Sequence, residues 1–150
     1  MIFKNIDVNE AIINIFKTSN FPILKSHIED EVCYINGNLI YEYVNGKNLL
    51  NNIYTNDDTS KYQWLAVIVD NHIIALQLLH FIDNGIELII LEKVAKYNIH
   101  NVFKNVLEYV EKTYKPNKIF TFPLHDKLKK EYQKYGFIEI NEELVKYYKK

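Results

Sequence analysis

Three strand-like runs, Trp64–Val69, Ile73–Ile82 and Ile86–Leu91, follow one another with only short turn-forming stretches, Asp70-Asn71 and Asp83-Asn84-Gly85, at their junctions. Gaps this short reverse a chain but cannot carry it back across a sheet face, so the runs are expected to pair as an antiparallel meander. The last run leads through a polar loop into a segment that places Ile99, Val102, Phe103, Val106, Leu107 and Val110 on one helical face. A helix of that length serves as a crossover, so the next apolar run, Lys118–Phe122, is expected parallel to Ile86–Leu91. A mixed sheet of the α/β (α+β) class follows.

The flanking segments are read in the same way. Asp7 stands three residues before Glu10 at the head of a helix carrying Ala11, Ile12, Ile15 and Phe16. Leu24, His27, Ile28 and Val32 suit a second helix. Asn36-Gly37 and Asn45-Gly46 bracket a strand at Leu39–Val44, and Asn56–Ser60 reads as a loop. After Phe122, Pro123 stops the strand and a short lysine-rich helix spans Asp126–Tyr135. Gly136 ends that helix, and Phe137–Ile140 with Leu144–Tyr148 form a terminal hairpin.

Composition narrows the classes of function. At 150 residues, 48% hydrophobic and 25% charged, the chain is expected to fold as one domain, 1–150, with a core that needs no disulfide. The net charge of −1 and pI near 6.5 give no electrostatic pull toward nucleic acid or an anionic membrane, so neither is expected as a partner. Cys33 is the one cysteine, which suits a reducing compartment, and a cytoplasmic location is expected. No signal-peptide layout opens the sequence, so the chain is expected to be used as it stands. His27, His72, His80, His100 and His125 lack metal-ligand spacing, and no metal is expected. Lys127, Lys129, Lys130 and Lys134 make a basic helix face, read as solvated given the net charge. Every cation is a lysine, so no guanidinium can clamp a phosphate or carboxylate from two sides.

The loop before the long helix leads into a helix N-terminus, which leaves N–H groups and a positive dipole end exposed. The junction Asn98–Lys104 is therefore a candidate anion seat, though it holds no glycine.

Beyond the residues themselves, Tyr132-Gln133-Lys134-Tyr135-Gly136-Phe137 resembles the Tyr-x-x-x-Gly-Phe signature of the GNAT superfamily of acyl-CoA N-acyltransferases. Glu87-Leu88-Ile89-Ile90-Leu91 is similar to the start of that family's fourth strand, and Val106-Leu107 falls on its paired core leucines without a gap. The resemblance covers residues 60–150 and implies a mixed, mostly antiparallel central sheet flanked by helices on both faces. It implies acetyl-CoA as co-substrate and a small-molecule or peptide amine as acceptor. Glu87 is then the candidate base, acting through water. Tyr132 is the group that meets the departing thiolate, by hydrogen bonding rather than full proton transfer, because a phenol is a weaker acid than a thiol. A backbone N–H near Leu91 to Lys93, where the fourth and fifth strands splay, would hold the oxyanion.

Where the family reads Arg/Gln-x-x-Gly-x-Gly/Ala for the coenzyme pyrophosphate, this sequence has Asn98-Ile99-His100-Asn101-Val102-Phe103, and no glycine lies between Gly85 and Gly136. The candidate coenzyme contacts are Leu91, Lys93, Asn98, Ile99, His100, Asn101, Val102, Phe103 and Lys104, with Lys96 a further cation. His125 either makes a polar contact or caps the short helix. Phe103 either projects over the pyrophosphate position or turns onto the core beside Val106 and Val110. Two functions are carried forward: an acyl-CoA N-acyltransferase, and a catalytically inactive GNAT-fold protein serving as a protein-binding or inhibitory module. A homodimer or another protein partner belongs with both.

Overall fold

The structure, a computed structural model, describes residues 1–26, 62–83, 85–122 and 126–148. The strand at 39–44 and its turns, the loop at 56–60, the later part of the second helix, and His27, Cys33, Pro123 and His125 lie outside the described residues.

The chain opens with β1 (Ile2–Ile6) and α1 (Val8–Phe16), and a helical turn begins at residues 22–26. The meander is β2 (Tyr62–Val69), β3 (His72–Ile82) and β4 (Gly85–Lys93). It is followed by α2 (Ile99–Tyr114), β5 (Lys118–Thr121), α3 (Asp126–Lys134), β6 (Ile138–Ile140) and β7 (Glu143–Tyr147). Among the described residues all seven strands form one sheet in the order β1-β2-β3-β4-β5-β7-β6, antiparallel except for the parallel β4–β5 pair. The crossover through α2 accounts for that one parallel pairing.

Local chemistry accounts for the joints. Asp7 Oδ1 accepts from the Glu10 N–H at 2.8 Å and starts α1. Asp70 and Asn71 both take positive φ, 50° and 66°, as a tight hairpin between twisted strands requires, and short polar side chains tolerate this conformation. Gly85 is needed where β4 meets β5, because a Cβ there would sit 2.9 Å from the Lys118 side chain. The strand β1 has no counterpart in the sequence reading. It lies at the sheet edge with Ile2 and Lys4 exposed, so its apolar alternation is incomplete.

The sheet buries both faces. On one, Leu65, Val67, Ala75, Leu79, Ile86, Leu88 and Ile119 pack against Val102, Phe103, Val106, Leu107 and Val110 of α2. On the other, Trp64, Ala66, Leu76 and Leu78 meet Ala11, Ile12 and Ile15 of α1 with Phe21 and Leu24. A bulge in β4 opposite Leu78/Leu79 leaves Ile89 without its own partner in the register. Ile89 and Ile90 consequently both face the α1 side, while Leu88 and Leu91 face α2.

Candidate active site

The two central strands stay paired for only part of their length. β4 and β5 match at Gly85–Lys118, Ile86–Ile119 and Glu87–Phe120, and β4 then continues to Lys93 with no β5 partner among the described residues. The parting point is closed by side chains. Thr121 Oγ1 donates to the Leu88 carbonyl at 2.8 Å, spanning the last rung that the backbone does not make. Tyr132, brought in by α3, hydrogen-bonds Thr121. A hydroxyl has one proton, and Thr121 has given its own to Leu88, so the phenol donates to Thr121. Burial raises the Tyr132 pKa above its ordinary value of 10.0, with Thr121 acting in the opposite sense because it can turn its proton toward a phenolate. At neutral pH Tyr132 is therefore a protonated donor at the inner end of the gap.

Glu87 occupies the same level of the sheet on the other face. It stands across from His80 in the register, and Glu87 Oε1 lies 3.0 Å from His80 Nδ1. Tyr62 stacks flat on the His80 ring, 4.1 Å between centroids and 9° between planes. The carboxylate is half-buried and engaged with this imidazole. An ionised carboxylate only accepts, so Nδ1 carries the proton of the pair and Nε2 of a neutral ring is left as an acceptor. The gap between β4 and β5 thus has a proton donor on the α2 side and a carboxylate–imidazole pair on the α1 side.

The first turn of α2 is arranged differently from an open anion seat. Asn98 Oδ1 caps the helix, accepting from the N–H groups of His100 at 2.9 Å and Asn101 at 3.3 Å. His100 Nδ1 lies 2.7 Å from Glu131 Oε2, and Glu131 also meets the Lys134 ammonium at 3.1 Å. The Tyr135 hydroxyl donates to the His100 carbonyl. Phe103 is buried in the core and packs edge-on against Tyr132 at 4.8 Å and tilted against Tyr135 at 5.1 Å. Val102 is buried, whereas Ile99, His100, Asn101 and Lys104 are exposed. Lys93 donates to the Ala95 carbonyl at 3.2 Å, and Lys96 lies 5.3 Å above the Tyr97 ring. As the turn stands, the N–H groups of His100 and Asn101 are held by Asn98 Oδ1, and the Glu131 carboxylate lies beside the His100 ring.

At the far end of β4 is a cleft of about 490 Å³, lined in part by Leu91, Glu92, Lys93, Val94 and Ile99 on one side and Pro22 and Ile23 on the other. It brings together Leu91, Lys93 and Ile99 from the expected coenzyme contacts, while Glu87 and Tyr132 do not line it. Its walls are tied by Glu92, a buried carboxylate absent from the sequence reading. Glu92 accepts from Ile23 N at 3.0 Å and Leu24 N at 2.7 Å. Lys25 N donates to the Phe21 carbonyl, so Phe21 is the cap of that helical turn and has no side-chain acceptor; Glu92 supplies one from β4. The signal available in sequence was a carboxylate ending an otherwise apolar strand run, which demands a partner. Thr121 and Glu131 carried no comparable signal. Among the described residues no group of His, Cys, Asp and Glu is placed to hold a metal ion, and no helix is long and apolar enough to cross a membrane.

A mixed sheet whose parallel fourth and fifth strands part over a tyrosine from the following helix is the GNAT fold, and this chain has it. Solved structures of similar architecture include the PaiA N-acetyltransferase of Thermoplasma acidophilum in complex with coenzyme A, 18% identical over 99% of this chain and 100% of that one, with a TM-score of 0.60. PseH, an N-acetyltransferase of Campylobacter jejuni in complex with acetyl coenzyme A, is 14% identical over 99% of each chain, with a TM-score of 0.54. A chain of the AtaT–AtaR complex bound to DNA is 9% identical over 98% of this chain and 94% of that one, at 0.57. No family model matches the sequence, and no curated protein matches it.

Proposed function

We propose that the protein is an N-acyltransferase that moves an acyl group from an acyl-CoA thioester, acetyl-CoA in the simplest case, to an amine. The observation that carries this reading is the parting of β4 and β5 past Glu87 and Phe120 with a protonated Tyr132 at its inner end. A strand edge without a neighbour offers N–H and C=O groups to an amide-bearing chain, and the pantetheine arm is such a chain. Solved proteins of the same fold are N-acetyltransferases in complex with coenzyme A or acetyl coenzyme A, which supports the same donor here.

The residues divide the work by face. An amine reaching the α1 side meets His80 and Glu87. Glu87 holds the Nδ1 proton, and Nε2 takes a proton from the amine directly or through one water. A backbone N–H between Leu91 and Lys93 meets the oxyanion as the thioester carbonyl becomes tetrahedral. Tyr132 turns its hydroxyl from Thr121 to the departing sulfur. With its pKa raised by burial it stabilises the thiolate as a hydrogen-bond donor and keeps its proton.

Titration of the purified protein with acetyl-CoA, followed by calorimetry and thermal shift, tests the reading. Ligand at about a hundred times its dissociation constant adds about 2.7 kcal/mol of stability, a shift of several degrees. Absence of binding at millimolar acetyl-CoA removes the enzyme reading and leaves the second one, a non-catalytic GNAT-fold module that binds a protein. The occupied first turn of α2 is the observation in favour of that alternative.

A further inference from the structure

We infer that the protein recognises its donor as an acyl-pantetheine thioester and takes little binding energy from the nucleotide end; this deepens the acyltransferase reading and rests on it. The first turn of α2 is where a coenzyme diphosphate would exchange charge with the protein, and two of its N–H groups and the carboxylate beside His100 already have partners within the chain, while Lys104 is exposed. Asn98 Oδ1 accepts from the His100 and Asn101 N–H groups. Glu131 lies against His100 Nδ1 at 2.7 Å and Lys134 Nζ at 3.1 Å, so an acid stands beside the His100 ring at the head of the helix and already holds the Lys134 ammonium. A phosphate arriving there meets a like charge, and it must also compete with a tethered carboxylate for Lys134 and for the His100 ring.

The blocking group is not on a loose arm. Phe103 packs on Tyr132 and Tyr135, and the Tyr135 hydroxyl bonds the His100 carbonyl, so α3 is fastened across the first turn of α2 by rings on both helices. Of the other lysines near the loop, Lys93 is turned to the Ala95 carbonyl and Lys96 to the Tyr97 ring. The sequence contains no arginine to form a bidentate phosphate contact. The features suited to the other end of the donor are intact: the length of β4 from Leu88 to Lys93 that has β3 on one side and no described β5 partner on the other, the cleft at its far end, and Tyr132. These are selective for an uncharged amide chain ending in a thioester.

The experiment compares acetyl-CoA, S-acetylpantetheine and adenosine 3′,5′-bisphosphate by calorimetry on the full chain, with Glu131→Gln as the second protein. Acetyl-CoA and S-acetylpantetheine are expected to bind within about threefold of each other, with no detectable binding of the bisphosphate. Glu131→Gln, which frees His100 and Lys134, is expected to shift the ratio toward acetyl-CoA by about threefold to tenfold. Wild-type binding of acetyl-CoA more than tenfold tighter than S-acetylpantetheine, or a ratio unchanged by Glu131→Gln, overturns the inference while leaving the acyltransferase reading in place. Failure of both thioesters to bind overturns both.

Discussion

Thr121 shows how much one hydroxyl can organise. Its proton goes to the Leu88 carbonyl, its lone pair takes the Tyr132 proton, and the residue is buried with both partners. Thr121→Val is expected to lose about 1–3 kcal/mol, measured by urea denaturation, because it leaves the Leu88 carbonyl without a donor and Tyr132 without its acceptor. Tyr132→Phe is expected to lower turnover roughly tenfold or more while leaving acetyl-CoA affinity nearly unchanged, since the hydroxyl acts on charge that develops only at the sulfur. Unchanged turnover would remove Tyr132 from the chemistry. Tyr132 was legible in the sequence because its spacing to Gly136 and Phe137 is distinctive. Thr121 and Glu131 were not, because their partners are far away in the chain and only the packing of α3 brings them into place.

At the scale of elements, the meander and the α2 crossover were readable because turn residues and apolar periodicity agree there. The bulge was not, because Ile89 and Ile90 look like any continuous apolar run until the register with β3 is known. That bulge is what lets Glu92, five residues after Glu87, face the same α1 side and turn toward the 22–26 helical turn. Glu92 in turn fastens the two walls of the cleft to each other. Glu92→Ala strands two N–H groups of a helix start and is expected to cost about 3 kcal/mol, with Glu92→Gln restoring part of it. Equal stability of wild type and Glu92→Ala in urea would show that water serves those N–H groups equally well. For α2, Phe103→Ala removes a buried ring that contacts Tyr132 of α3 and Tyr135 just past its end, and is expected to cost about 3–5 kcal/mol by the same measurement.

Across the whole molecule, the sheet joins two cores, and the open length of β4 lies between them. Stability of this assembly is expected to fall in alkali for an identifiable reason. Burial and the neighbouring Glu111 carboxylate push the Tyr148 phenol well above 10.0, and burial raises that of Tyr132. A phenol whose folded pKa is raised binds more protons folded than unfolded once pH passes 10.0, so its stability contribution is complete below that pH and is lost progressively above it. Tyr148→Phe should therefore show a shallower fall in urea midpoint from about pH 9 to about pH 11 than wild type. The central claim is that the gap between β4 and β5 receives an acyl thioester, and amide chemical shifts in a titration with acetyl-CoA address it most directly. Shifts are expected at Leu88–Lys93 and Thr121, with small changes at His100 and Asn101. Shifts concentrated at the start of α2, or none along β4, would contradict it.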